Sequence, residues 1–235
     1  MTTAAIPTPH NADESTMALL GLRRPAPLPA TEPETSASGL LERVRALVPR
    51  RALTDGQART LAERQAAALR RALKLTDTPK LPTGALHDLP FLHVTYRAKF
   101  PTSGMATRTG LGWVIVIRSD EPQVRQRFSL AHELKHLLDD PFMRLQTTAL
   151  TDGLYPDTAL ATRHERTERI CDAFAAALLM PRALIRRDWV DGHQAIPGLA
   201  SRYGVSRPAM EIRLRQLGLI SPTPRCAVPN ESQDQ

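Results

Sequence analysis

The chain has 235 residues, of which 42% are hydrophobic, and a formal net charge of +7. This length and composition allow one medium-sized domain with a real core and one small module beside it. No apolar run reaches the roughly 18 residues of a membrane span, no signal peptide is visible at the N-terminus, and two distant cysteines predict no disulfide framework. We therefore expect a cytoplasmic protein without a membrane partner, whose positive charge favours acidic partners, nucleic acid included.

Both ends of the chain are predicted to be disordered tails. Residues 1–38 are rich in Pro, Thr, Ala, Ser and Glu, and residues 221–235 are rich in Pro, Ser and Gln. Too few large apolar side chains are present in either segment to offset the entropy of ordering. We place the folded part of the chain between them.

Two amphipathic helices are predicted between residues 39 and 75. Pro49 ends the first, and Thr54-Asp55-Gly56-Gln57 has the pattern of a capping box that opens the second. Between residues 42 and 74 basic residues outnumber acidic ones by nine to three. Such a run favours a solvated basic face over a nucleic-acid patch. The predicted inward residues are Leu40, Leu41, Val44, Leu47 and Val48 in the first helix, and Leu61, Leu69, Ala72 and Leu73 in the second.

Two strands are predicted next, at residues 91–97 and 113–117. The second is a β-branched run bounded by Gly112 and by Ser119-Asp120, and it stands directly before a long apolar helix. A strand that leads into such a helix suits a cleft of the zincin type. In such a cleft an edge strand can hold an extended peptide by main-chain hydrogen bonds.

The long apolar helix contains the motif His132-Glu133-x-x-His136. At about 100° per residue the two imidazoles lie on one face, one turn apart, where both can bind a single zinc ion. Glu133 lies beside them, in position to hold a water molecule at the metal without binding the metal itself. We expect acidic residues and Pro122 to begin this helix and Asp139-Asp140-Pro141 to end it. A buried helix with two accidental histidines is the alternative.

A third ligand is expected from a second buried helix at residues 165–180, because catalytic zinc takes three protein ligands and keeps one open position. Glu168 lies well inside this helix and is the preferred candidate. Asp172, one turn further on, is predicted to orient a ligating histidine. We expect Glu165 to be a solvated acid of the first turn and His164 to be a surface histidine. Tyr155, in the loop between the two helices, is a weak candidate for stabilising an oxyanion.

The sequence 127–136, together with Glu168-x-x-Cys171-Asp172-x-Phe-Ala-Ala-x-Leu-Leu-Met-Pro, resembles the ImmA/IrrE family of metallopeptidases. The resemblance covers roughly half of the chain. It implies that His132, His136 and Glu168 bind the metal, which is zinc or alternatively manganese, and that Glu133 is the general base. It also implies a helix-turn-helix repressor protein as substrate. The sequence departs from the family pattern at Lys135, where relatives usually carry a small residue, and we expect this lysine to alter the charge at the mouth of the cleft.

Residues 191–220 have the pattern of a helix-turn-helix module, with Gly204 at the turn and Ser206 as the cap of the second helix. In a DNA-binding protein Arg207, Glu211 and Arg215 would face the major groove. The alternative, which we favour, is a compact scaffold that does not read bases, since the motif alone does not determine a function.

These observations predict an α+β fold with four segments: a disordered tail at 1–38, a zincin-like metallopeptidase domain with a small β-sheet at 39–190, the helix-turn-helix-like module at 191–220, and a second tail at 221–235. The predicted function is that of a metal-dependent endopeptidase that cleaves a helix-turn-helix repressor and so relieves repression of DNA-damage or mobile-element genes. The alternatives are a DNA-binding regulator with a structural metal, or an interaction protein that does not cut its partner.

Overall fold

The computed structural model describes residues 34–49, 51–89, 91–109, 112–145 and 160–221. Tyr155 and most of both predicted tails lie outside these residues. The described part has a mixed α/β architecture, with a small three-stranded sheet and eight helices. The strands are β1 (Leu92–Arg97), β2 (Gly104–Thr109) and β3 (Gly112–Arg118). The helices are α1 (Glu34–Arg45), α2 (Asp55–Ala72), α3 (Gly84–His87), α4 (Gln123–Leu145), α5 (Leu160–Leu179), α6 (Arg182–Val190), α7 (Ile196–Tyr203) and α8 (Arg207–Gln216).

The predicted capping box at the start of α2 is confirmed. The Gln57 N–H donates to the Thr54 hydroxyl at 3.3 Å, and the Gln57 side chain accepts from the Thr54 N–H at 3.1 Å. Leu61 and Leu69 are buried as predicted. The prediction that two further residues point inward is wrong. Leu47 is 40% exposed because α1 already ends at Arg45, and Ala72 is exposed where α2 runs out into solvent.

The sheet has the strand order β1-β3-β2, with β1 parallel and β2 antiparallel to β3. Both predicted strands are confirmed within a residue of their expected bounds. Residues 114–117 of β3 are buried, so this strand is covered on both faces. The strand order also makes β3, which directly precedes the motif helix, the central strand. The edges of the described sheet are therefore β1 and β2.

Helix α4 continues through Asp139-Asp140-Pro141, so its predicted end is wrong. A proline has no N–H, and the carbonyl of Leu137 therefore lacks its usual donor four residues later. Arg45 of α1 supplies that donor: its Nη2 lies 2.8 Å from the Leu137 oxygen, and its Nε lies 3.2 Å from the Leu138 oxygen. A tertiary hydrogen bond thus replaces the missing helical one, and α4 continues past Pro141 to Leu145.

Helices α2, α4 and α5 contribute to one hydrophobic core, to which Tyr203, Met210 and Leu214 of the last two helices also belong. Gly204, with a φ of 63°, makes the turn between α7 and α8, and Ser206 caps α8 by accepting from the Ala209 N–H at 3.2 Å. No helix in the described segments is long and apolar enough to cross a bilayer.

Polar side chains fix the last three helices to each other and to the rest of the molecule. The buried Asp188 of α6 accepts from the Tyr203 hydroxyl and from the Arg202 guanidinium, each at 2.7 Å. Arg213 of α8 donates to the Met180 carbonyl at 3.0 Å and to the Glu63 carboxylate of α2 at 2.6 Å. The C-terminal helices are consequently anchored to α2.

Candidate metal centre

Two packed helices bring the predicted site residues together. Helix α4 carries His132, Glu133 and His136, and helix α5 carries Glu168 and Asp172. Leu130, Leu134, Leu137 and Leu138 of α4 are buried and hold its other faces against the core. The side chains at the motif positions are only partly buried, so this face of α4 is partly open to solvent.

Three donor atoms converge between α4 and α5. The Nε2 atoms of His132 and His136 lie 3.2 Å apart. The carboxylate oxygens of Glu168 lie 3.2 Å from the His132 Nε2 and 3.3 Å from the His136 Nε2. Donors held at about 2.0–2.1 Å in a tetrahedral zinc site are about 3.3 Å from one another. The spacing and the chemistry of this donor set therefore fit zinc.

Asp172, one turn after Glu168 on α5, lies beside His132. The His132 Nδ1 donates to the Asp172 carboxylate at 2.9 Å. A carboxylate in this position fixes the ring orientation and leaves the other nitrogen to face the site.

The electrostatics of the cluster favour positive charge at its centre. Burial is the largest single influence on His132 and lowers its pKa, but hydrogen bonds to Asp172 and Glu168 outweigh burial and raise the pKa to about 9. Hydrogen bonds from His132 and His136 hold the pKa of Glu168 far below its usual range. Histidines that bind a metal must be neutral. A metal ion would therefore replace the proton that the neighbouring carboxylates hold on His132.

Glu133 lies apart from the converging donors, against strand β2. Burial raises the pKa of its carboxyl group, and the positive character of His136 and His132 opposes that shift. The backbone N–H of Ala106 on this strand makes a smaller contribution that also lowers the pKa. The arrangement is that of a carboxylate beside the ligand cluster, in contact with an edge strand of the sheet.

Cys171 is a neighbour of the cluster that the sequence reasoning did not consider as a ligand. Its sulfur and one nitrogen each of His132 and His136 lie within 4.8 Å of one another. Cys171 is completely buried, and burial raises the pKa of its thiol well above the usual value. The Glu168 oxygens lie 3.2 and 3.3 Å from the two Nε2 atoms, at the spacing of ligands that share one zinc ion, so Glu168 remains the preferred candidate. The sequence did contain a signal for Cys171, because this residue stands three positions after Glu168 and therefore lies on the same face of α5.

The acids and histidines around Glu168 lie where they were predicted. His164 has a side chain that is 77% exposed, with its Nδ1 3.8 Å from Glu168. Glu165 is exposed as well, and its carboxylate lies 3.9 Å from Arg169 on the same helix. Neither residue reaches the point where the three donor atoms meet.

Lys135 does not lie at the cleft mouth, so that prediction is wrong. Its side chain is 0% exposed, and its Nζ donates to Asp139 at 2.6 Å and to Gln65 of α2 at 2.8 Å. Position 135 lies about 60° from His132 around the axis of α4, on the flank that packs toward α2. The lysine side chain therefore reaches between α4 and α2, where Asp139 and Gln65 are its partners.

Comparisons with known proteins identify a family. The family model described as the IrrE N-terminal-like domain, Peptidase_M78, matches residues 91–215. Among solved structures, a Mycobacterium tuberculosis transcriptional regulator aligns at 18% identity with a TM-score of 0.46, over 74% of this chain. This chain spans about half, 51%, of that protein. No curated protein matches the sequence significantly. The family match covers more than half of the chain, including both motif helices, and the chain therefore belongs to the Peptidase_M78 family of IrrE N-terminal-like domains.

Proposed function

We propose that this protein is a metal-dependent endopeptidase that cleaves a helix-turn-helix repressor and so relieves transcriptional repression. The observation that carries the proposal is the convergence of His132, His136 and Glu168 within 3.3 Å of one another, with Glu133 next to them. Three ligands with a fourth position left open are typical of catalytic zinc, whereas structural zinc usually has four protein ligands. Membership of a metallopeptidase family supports the same interpretation.

Each residue has a separate role in this proposal. His132, His136 and Glu168 hold the metal, and Asp172 orients His132. A bound zinc ion supplies Lewis acidity to a carbonyl group and makes a water molecule more acidic. Glu133 accepts a proton from the attacking water at its carboxylate and later delivers it to the nitrogen of the leaving amine.

The core is proposed to be zincin-like, with β2 as the strand that holds the substrate. β2 lies at an edge of the described sheet, and Gly104 on this strand lies against the Glu133 side chain. An extended peptide paired with this edge by main-chain hydrogen bonds would pass close to the base. This assigns the peptide-binding role to β2, since the strand directly before the motif helix is central.

Helices α7 and α8 are proposed to form a helix-turn-helix-like module that positions a protein and does not read bases. Of the three arginines in α8, Arg213 is buried against Glu63, and Arg215 is paired with Glu211 on its own helix. Charges engaged in this way are not free to neutralise phosphates, on which DNA affinity depends.

A second candidate function is a regulatory or interaction protein whose metal is structural. The nearby Cys171 favours it, because a fourth protein ligand would close the site. In that case the protein would bind metal and partner without cutting the partner.

The test compares wild type with Glu133→Gln, each loaded with zinc or manganese, on the helix-turn-helix repressor encoded beside the gene. We expect wild type to produce one discrete cut. The amide that replaces the Glu133 carboxylate cannot accept a proton at useful pH, so the cleavage rate should fall by at least about 10²–10⁴-fold. Gln is isosteric with Glu, and metal content, measured on the same preparations, should not change.

The matched control is Glu165→Gln, the same substitution at an exposed acid of the neighbouring helix, which should cleave like wild type. Undiminished cleavage by Glu133→Gln would exclude Glu133 as the base. Loss of metal from Glu133→Gln would instead make Glu133 a ligand. A wild-type protein that binds metal and repressor and never cuts it would favour the second candidate.

A further inference from the structure

Strand β2 approaches the Glu133 side chain at a glycine. Gly104 is the first residue of β2 and pairs with Ile117 of the central strand. A Cβ atom added at Gly104 would lie 2.9 Å from the Glu133 Cγ and 3.1 Å from its Oε1. The φ angle of Gly104 is outside the left-handed region, so the backbone itself does not require a glycine there. Glu133 instead occupies the space that a side chain at position 104 would fill.

The surroundings of Gly104 leave Glu133 as the group that would have to move. A contact of 2.9 Å to a carbon atom is shorter than real Cβ atoms accept. On the strand side, β2 is hydrogen-bonded to β3, and the Thr102 hydroxyl also donates to the Gly104 carbonyl at 2.8 Å. The third neighbour, the Ile117 Cδ1 at 3.3 Å, belongs to a fully buried side chain. A methyl group at 104 would therefore displace the carboxylate before it displaced the sheet.

The same strand influences the carboxylate from a second position. Two residues along β2, the backbone N–H of Ala106 favours the ionised form of Glu133 and so opposes the rise in its pKa. We propose that Gly104 is a positioning residue: the space left by its missing side chain confines Glu133 to one place beside the ligand cluster. The effect of Gly104 on catalysis rests on the proposed function, whereas the contact between Gly104 and Glu133 does not depend on it.

The contact is tested by a double-mutant cycle on metal-free protein prepared with a chelator. Gly104→Ala should lower the Tm by about 2–12 °C, the range for overpacking a protein of this size. In a Glu133→Ala background the methyl group has room, and the same change should cause no fall. Gly84→Ala, a glycine with no heavy atom within 4 Å of its added Cβ, is the control that should not lower the Tm. An equal fall in both backgrounds, or none in either, would overturn the proposal.

The consequence for cleavage is measured with the same repressor as substrate. Because a displaced base slows the chemical step, we expect Gly104→Ala to lower kcat about tenfold or more and to leave KM and zinc content within about twofold. A raised KM with unchanged kcat would show that the methyl group acts on substrate binding at the strand, which contradicts a positioning role. If wild type cleaves nothing, the proposed function fails, and the Tm cycle still decides whether Gly104 confines Glu133.

Discussion

Glu168 contacts both motif histidines, whereas Glu165, one turn earlier on the same helix, faces solvent. We expect Glu168→Ala to lose the metal and Glu165→Ala, the matched control, to keep it. The loss should also remove the stability that binding adds, about 2.7 kcal/mol at a free metal concentration of 100 times Kd. Metal analysis after dialysis and thermal unfolding with added zinc measure both effects.

Two results would contradict this assignment. Loss of metal from Glu165→Ala alone would make Glu165 the third ligand. Full metal content in Glu168→Ala would pass that role to Cys171, whose sulfur lies close to the same histidines.

The candidate ligands could be predicted from the sequence because helical spacing places residues four apart on one face. The partners of Lys135 could not. The helix around it is apolar on nearly every face, so its pattern indicates burial without showing which neighbour accepts a charge. Asp139, four residues later, was available as a local partner, but Gln65 comes from a helix 70 residues away. A buried lysine needs both, because an unpaired buried charge is costly.

At the scale of single elements, the continuation of helix α4 through Pro141 depends on Arg45. Arg45→Met should leave the Leu137 carbonyl without a donor and cost about 1–3 kcal/mol of unfolding free energy. Pro141→Ala restores a backbone N–H that can donate to this carbonyl, so Arg45→Met should cost much less in that background. Urea unfolding of the four proteins measures the difference. An equal cost in both backgrounds would mean that Arg45 does not compensate for the proline.

Local rules predicted where elements begin better than where they end. The capping box at Thr54 and the β-branched run in β3 are signals within a few residues of the element that they mark, and both were confirmed. The end of α4 was wrong because Asp139-Asp140-Pro141 is an adequate stop signal by itself. The contact that overrides it comes from an arginine 92 residues earlier in the chain.

At the scale of the whole molecule, the C-terminal helices are predicted not to read DNA sequence. Replacing Arg207 and Arg215 by Ala should leave DNA binding weak and nonspecific, with a Kd in the range of about 10⁻⁴–10⁻⁶ M at physiological salt. Fluorescence anisotropy with two duplexes of unrelated sequence measures this before and after the change. A nanomolar complex with one duplex that disappears on substitution would contradict the prediction.

The pattern of residues 191–220 predicted the turn at Gly204 and the cap at Ser206, but neither signal specifies what the last helices pack against. Tyr203, Met210 and Leu214 pack into the core shared with α2, α4 and α5. The choice of partner depends on long-range packing, on the Asp188 and Arg213 contacts in particular, and these are not visible in any local window of the sequence.

The ion pair between Glu63 and Arg213 joins positions 150 residues apart. A ribosome that adds about 5–20 residues per second needs about 8–30 s to proceed from one to the other. Throughout that interval α2 has been made while the helix that completes its surroundings has not. Its apolar face, with Leu61, Ala62 and Leu69, must stay exposed or find temporary cover. Helix α2, one of the first parts of the core to be synthesised, is thus among the last to reach its final contacts, and the nascent chain is vulnerable to aggregation for most of its synthesis.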